Sequence, residues 1–246
     1  MTRRLLLALV LVSLSSWIGA GEVRAETGSP AQPKPQAKPQ AKEAESSWYA
    51  ATVAEDQRGS FLMVHFWSRG PLFRSEAVLG GRKIVTIVTR DRYIIADAVS
   101  GYAISIARSA AAKALDGKLS RPFGNELLQL LAEGGEHVGT EKATGQTVDV
   151  YRITDDRGRR TLWMSQSKPP VPLRIETYDR ETGTTGKVDY LNWLHNPSIA
   201  DSFFQPDSGW KIEEISYQEY RERILKGPVG PAPVLYRRLL HGDSDS

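Results

Sequence analysis

The chain contains no cysteine. Its fold must hold together without disulfides, which a 246-residue chain has core enough to do. It also offers no cysteine for lipoprotein-type lipid attachment. Histidine is scarce: His65, His137, His195 and His241 stand far apart, none with a second ligand-type residue at metal spacing. There is no Gly-x-Ser-x-Gly elbow. "GTTGKV" at 183–188 is too short for a phosphate loop, and no Ser or Thr follows Lys187. Asp155-Asp156 and Glu213-Glu214 are adjacent carboxylates, which point apart on a strand or turn and imply no acid/base pair. Charge of one sign is lacking too. The formal net charge is +3, and Arg3, Arg4 and Arg24 against Glu22 supply +2 of it, leaving +1 for the remainder. That balance makes no case for nucleic-acid binding, whose affinity comes largely from clustered cations, and no nucleic-acid partner is expected.

What is present begins with "MTRRLLLALVLVSLSSWIGAGEVRA". Arg3 and Arg4 precede an apolar stretch at 5–18 that is short of the ~20 residues of a membrane span. Val23 and Ala25 give a small-residue cleavage pattern before Glu26. Residues 1–25 therefore read as an export signal, with an uncleaved anchor as the alternative. Residues 26–46 follow as a Pro, Lys and Gln linker with Pro30, Pro33, Pro35 and Pro39. From 26 to 45 no apolar residue is larger than alanine, so the segment forms no core and is polyproline-like.

The folded region is expected over 47–226. Strand patterns fall at 61–67, 72–79, 83–89, 92–96, 147–153, 160–165, 172–178 and 186–194, separated by Gly, Pro and Asp turns. Within 172–178, Leu173 and Ile175 are expected on one face and Arg174 and Glu176 on the other. Helices are expected at 105–115, 124–132 and 216–225, the last with Ser216 and Glu219 as a capping box. Residues 227–246 read as a C-terminal tail, frayed from Pro231 onward. Aromatic residues are spread through the strands, and composition alone does not divide core from apolar cavity.

The element order narrows this. "WSRGPLFRSEAVLGGRKIVTIVTRDRYIIADAVSGYAI", "RPFGNELLQLLAEGGEHVG" and "PPVPLRIETYDRETGTTGKVDYLNWLHNPSIADSFFQPDSGWKI" resemble the LolA-like family of periplasmic lipoprotein carriers. The resemblance runs from about residue 60 to 215. It implies an α+β, mainly β fold: a strongly curved antiparallel half-barrel with helices lidding its concave face. It also implies an N-terminal helix, which only 47–58 could supply, and a lid-latching arginine, for which Arg69 stands nearest. The implied occupant is an acyl chain, lipid or lipoprotein, with transient membrane contact and no cofactor. Phe73, Ile87, Tyr93, Trp163, Leu173, Ile175 and Tyr190 are the candidate cavity residues. A non-catalytic carrier, an envelope interaction or regulatory module of the same shape, and an enzyme with a dispersed site are the three readings, in that order.

Export with removal of residues 1–25 is expected. Mass analysis of the periplasmic protein should find its N-terminus at Glu26. Membrane-bound protein retaining Met1 would instead establish a tethered form.

Overall fold

In a computed structural model of the protein, the described residues are 46–57, 59–116, 125–143 and 145–242. The export signal and the linker to residue 45 lie outside them, as does Gly124 of the expected helix. Twelve strands form a single sheet. The first six are β1 (Ser47–Asp56), β2 (Phe61–Arg69), β3 (Leu72–Leu79), β4 (Arg82–Val88), β5 (Arg92–Asp97) and β6 (Tyr102–Ala107). Two short helices follow, α1 (Ala110–Leu115) and α2 (Glu126–Ala132). Then come β7 (Glu136–Ala143), β8 (Gln146–Thr154), β9 (Gly158–Ser165), β10 (Pro172–Asp179) and β11 (Thr185–His195). A 3₁₀ turn (Asp201–Phe204), β12 (Lys211–Ile215), α3 (Tyr217–Ile224) and α4 (Arg237–His241) complete the order.

Across the sheet the order is β12-β6-β5-β4-β3-β2-β1-β11-β10-β9-β8-β7. Two antiparallel meanders, β1–β6 and β7–β11, meet where β1 pairs with β11. β12 alone is parallel to its neighbour, β6. β7 and β12 stay unjoined, so the sheet is curved and open, and the fold is mostly β. The hairpins follow from local chemistry. Leu79 pairs with Arg82 across Gly80 and Gly81. Both glycines have positive φ, 57° and 78°, as a two-residue turn matched to strand twist requires.

Burial patterns show which strands are covered on both faces. β4 is buried without a break from Ile84 to Val88, and β5 from Tyr93 to Asp97. One set of side chains forms the inner cluster: Phe66, Phe73, Ile84, Tyr93, Ile95, Ile104 and their neighbours. The alternate set, Val85, Ile87, Ile94, Ala96 and Ala103, packs on the outer face under Trp210 and Ile212.

Three expectations are corrected here. The helix expected over 47–58 is a strand over Ser47–Asp56, and Arg58 lies outside the described residues. Alternating side chains serve two faces of this strand, β1, which bonds to β2 and β11 at once. Residues 105–115 are not one helix. Ile104 and Ile106 pair with Ile95 and Tyr93, and strand pairing overrides alanine's helix preference up to Ala107. Ser109 then caps α1, its Oγ accepting from the Ala112 N–H at 3.0 Å. The expected capping serine of α3 is in place, Ser216 Oγ accepting from the Glu219 N–H at 3.1 Å.

The third correction concerns the C-terminus, which is packed rather than frayed as far as Gly242. Val229, Ala232, Leu235 and Leu240 are buried, and the segment crosses the inner face of the β2–β6 half. Gly230 lies so close to the sheet that a Cβ there would meet the Ile104 side chain at 2.5 Å. Tyr236 places its ring against Phe73 and Phe66, and its N–H donates to the Tyr93 hydroxyl at 3.1 Å. Burial pushes the titration of both tyrosines well up, so both stay neutral phenols.

Arg108 anchors this segment. Its guanidinium is fully buried. It donates to both carboxylate oxygens of Asp116, at 2.7 and 2.8 Å, and to the carbonyls of Thr89, Arg90, Ala112 and Leu239. The β4–β5 turn, α1 and α4 thus share one cation. Replacing it by methionine should cost ~3–5 kcal/mol in urea unfolding, because Asp116 and the carbonyls lose their partner. A loss below ~1 kcal/mol would show that the C-terminal segment does not depend on it.

Candidate functional site

The inner face divides into two halves. Over β2–β6 and β12 the chain covers itself with residues 229–241 and with Tyr217 and Tyr220 of α3. Over β1 and β8–β11 the cover is α2, which contributes Leu127 and Leu130 to the cluster. Gly135 ends α2 so tightly that a Cβ there would meet the Leu130 side chain at 2.0 Å. Tyr190 on β11 reaches α2 with a hydrogen bond from its hydroxyl to Glu126 at 3.1 Å. Burial, and next the Glu126 carboxylate, push the Tyr190 titration well up, so it remains the donor.

Strand register sets an apolar row across this second half. Leu62 pairs with Ala54, Ala54 with Val188, Val188 with Ile175, Ile175 with Leu162, and Leu162 with Tyr151. Directly paired residues share a face. Ile175 and Leu162 are buried, whereas Leu62, Val188 and Tyr151 are only half-buried. On α2, Leu128 is 66% exposed and Leu131 44%. The cover is thus greasy on its solvent side as well.

The candidate cavity residues do not all meet here. Ile175 and Tyr190 lie under the α2 half, and Phe73 and Tyr93 lie under the C-terminal segment. Ile87 and Trp163 sit on the outer face. Ile87 belongs to the outer cluster, and Trp163 pairs with Arg174, whose guanidinium is 6.0 Å from its ring. Leu173 falls at a register shift between Pro172 and Arg174, which breaks the simple alternation expected there. It is half-buried and outside the inner cluster. Arg69 holds the 199–204 segment, donating to the Ile199 carbonyl at 2.5 Å, pairing with Asp201 and facing the Phe204 ring at 5.6 Å.

That segment roofs a second apolar surface, on the outer face. It is an open groove of about 720 Å³, lined among others by Tyr49, Trp67, Arg74, Phe203 and Trp210. The rings are fixed by one another. Trp67 lies 5.3 Å from Tyr49 and meets Phe203 edge-on at 5.1 Å. Arg74 is held 4.6 Å over Phe203, donating to its carbonyl at 2.9 Å and to Glu76 at 2.7 Å. Burial raises the Glu76 titration, but the hydrogen bonds from Lys83 and Arg74 outweigh it, and the carboxyl is held below its ordinary range. Sequence reasoning missed this groove. The signal was the apolar "NPSIADSFFQP" connector, whose Phe203 is half-buried rather than hidden in the core.

Residues 117–216 match the family described as "Predicted periplasmic protein (DUF2092)". No curated protein matches the chain. Among solved structures, the chain is similar to an uncharacterized conserved protein from Thermus thermophilus. The TM-score is 0.48 and the identity 10%, over 69% of this chain and 90% of that one. It is also similar to the MucA/MucB complex of Pseudomonas aeruginosa, with a TM-score of 0.42 and 18% identity over 70% of this chain. There the match spans 59% of the other chain's length. A putative outer membrane lipoprotein-sorting protein domain from Vibrio parahaemolyticus matches with a TM-score of 0.31 and 14% identity, over 67% of this chain and 91% of that one. The periplasmic location read from the N-terminus is the location given in the description of the family that residues 117–216 match.

Proposed function

We propose that the protein is a non-catalytic periplasmic binder or carrier of an acyl chain, held as a lipid or as part of a lipoprotein. The site is the inner face beneath α2. The observation that carries this reading is the apolar row from Leu62 to Tyr151, closed at its centre and half-open at its ends. An extended chain laid along that row leaves water, gaining roughly 0.8 kcal/mol for each methylene buried. A seven-residue helix is a small cover, and a small cover opens at modest cost. The exposed Leu128 and Leu131 favour brief contact with a membrane, from which such a chain would be collected.

A second reading has its own observation. Strand β7 is an unpaired edge of the sheet and is exposed along most of its length. An envelope protein that adds a strand there would make this an interaction module.

Titration with an apolar fluorescent probe separates the two. Wild-type protein should bind the probe. Leu62→Gln and Val188→Gln, both at half-buried positions of the row, should weaken binding about tenfold, the effect of ~1.4 kcal/mol. Glu176→Gln should leave binding unchanged. Ile175→Ala, at the closed centre, should cost ~2–5 kcal/mol of stability as an ordinary core truncation. A wild-type protein that binds no probe, or glutamine variants that bind it as well as wild type, would remove the inner-face reading and put the β7 edge first.

A further inference from the structure

We propose that the outer groove is the docking site of this chain's own proline-rich segment, residues 30–41, bound in cis as a polyproline II helix. The inference stands on the outer face and is independent of the inner-face reading. Its first support is chemical. Polyproline II segments bind grooves lined by aromatic rings, because proline offers a rigid apolar surface with little entropy left to lose. The groove presents Tyr49, Trp67, Phe203 and Trp210, with Pro197 and Pro206 at its sides. Its rings are already positioned, Trp67 by Tyr49 and Phe203, and Phe203 by the Arg74 guanidinium above it. A site organised beforehand binds with little ordering cost.

The second support is where the segment ends. The described chain begins at Ser46, at the rim of this groove. The Ser46 carbonyl accepts from the Gly70 N–H at 3.3 Å. Ser47 Oγ donates to the carbonyl of Pro197, a groove residue, at 2.7 Å. Two residues on, Tyr49 is itself part of the lining. Pro39 lies seven residues before Ser46, a reach of about 22 Å at ~3.1 Å per residue. The prolines nearest the fold therefore arrive at the groove without crossing the molecule.

Composition and tethering supply the rest. Lys34 and Lys38 alternate with the prolines. Asp207 lines the groove, the lining Arg74 has its charge met by Glu76, and the rings of Tyr49, Trp67 and Trp210 offer faces that attract ammonium groups. A tether this short gives an effective concentration of roughly millimolar, so even weak intrinsic affinity leaves the groove mostly filled.

The test uses the absence of cysteine. Gln36→Cys gives the full exported chain a unique thiol for a paramagnetic label. The indole N–H signals of the tryptophans are then recorded with the label active and quenched. Trp67 and Trp210 should lose their signals, while Trp163, elsewhere on the outer face, keeps its own. Replacing Pro30, Pro33, Pro35 and Pro39 by glycine in the same labelled chain preserves length and leaves every described residue untouched. The two signals should then return. Equal losses in both chains, or equal loss at Trp163, would overturn the proposal. So would loss that appears only between a labelled chain and an unlabelled second copy, which would assign the docking to a pair of molecules.

Discussion

A guanidinium with no access to water fixes how this sheet is covered. Arg108 leaves β6 at the point where pairing stops, and its six acceptors come from the β4–β5 turn, α1 and the C-terminal helix. A buried cation is tolerable only when every donor is used and an anion balances it, which Asp116 does at 2.7 Å. That requirement sets the path of residues 229–241. Once the path is set, Tyr236 lands on Phe73 and the Tyr93 hydroxyl, and half of the inner face is sealed by the chain itself.

The same logic locates both apolar surfaces left over. An unclosed sheet of twelve strands has two faces to shield, and the helices among the described residues are short. Irregular chain does much of the covering. The C-terminal segment takes the inner β2–β6 half, and the connector from Pro197 to Trp210 takes part of the outer face. Where the cover is slightest, under α2 and beneath Phe203, apolar side chains stay half-buried. Those two places are where an apolar ligand and an extended proline-rich segment fit the chemistry.

Much of this was legible in the sequence. Eight strands showed themselves as short apolar runs bounded by Gly, Pro and Asp, and the curved, mainly β architecture was what the resemblance to the LolA-like family implied. β1 and β7 were harder. "SWYAATVAED" carries alanines and acids that suit a helix equally well, and only its two flanking strands decide the matter. "EHVGTEKA" is polar because it is an exposed edge, so it lacks the apolar half of a strand signal. The C-terminus misled through its prolines and glycines, which suggested a tail. Its Val229, Leu235, Tyr236, Leu239 and Leu240 were the contrary signal. The split of Ile87 and Trp163 from the other candidate residues was not readable. In strands buried on both faces, apolarity no longer tells which side a residue serves.

The central claim is that the inner face under α2 holds an acyl group in the periplasm. Native mass spectrometry on protein released from the periplasm without detergent addresses it most directly. The account predicts a population heavier than the polypeptide, with the added mass extractable into organic solvent as an acylated molecule. Bare polypeptide alone, with no uptake after incubation with phospholipid vesicles, would contradict it.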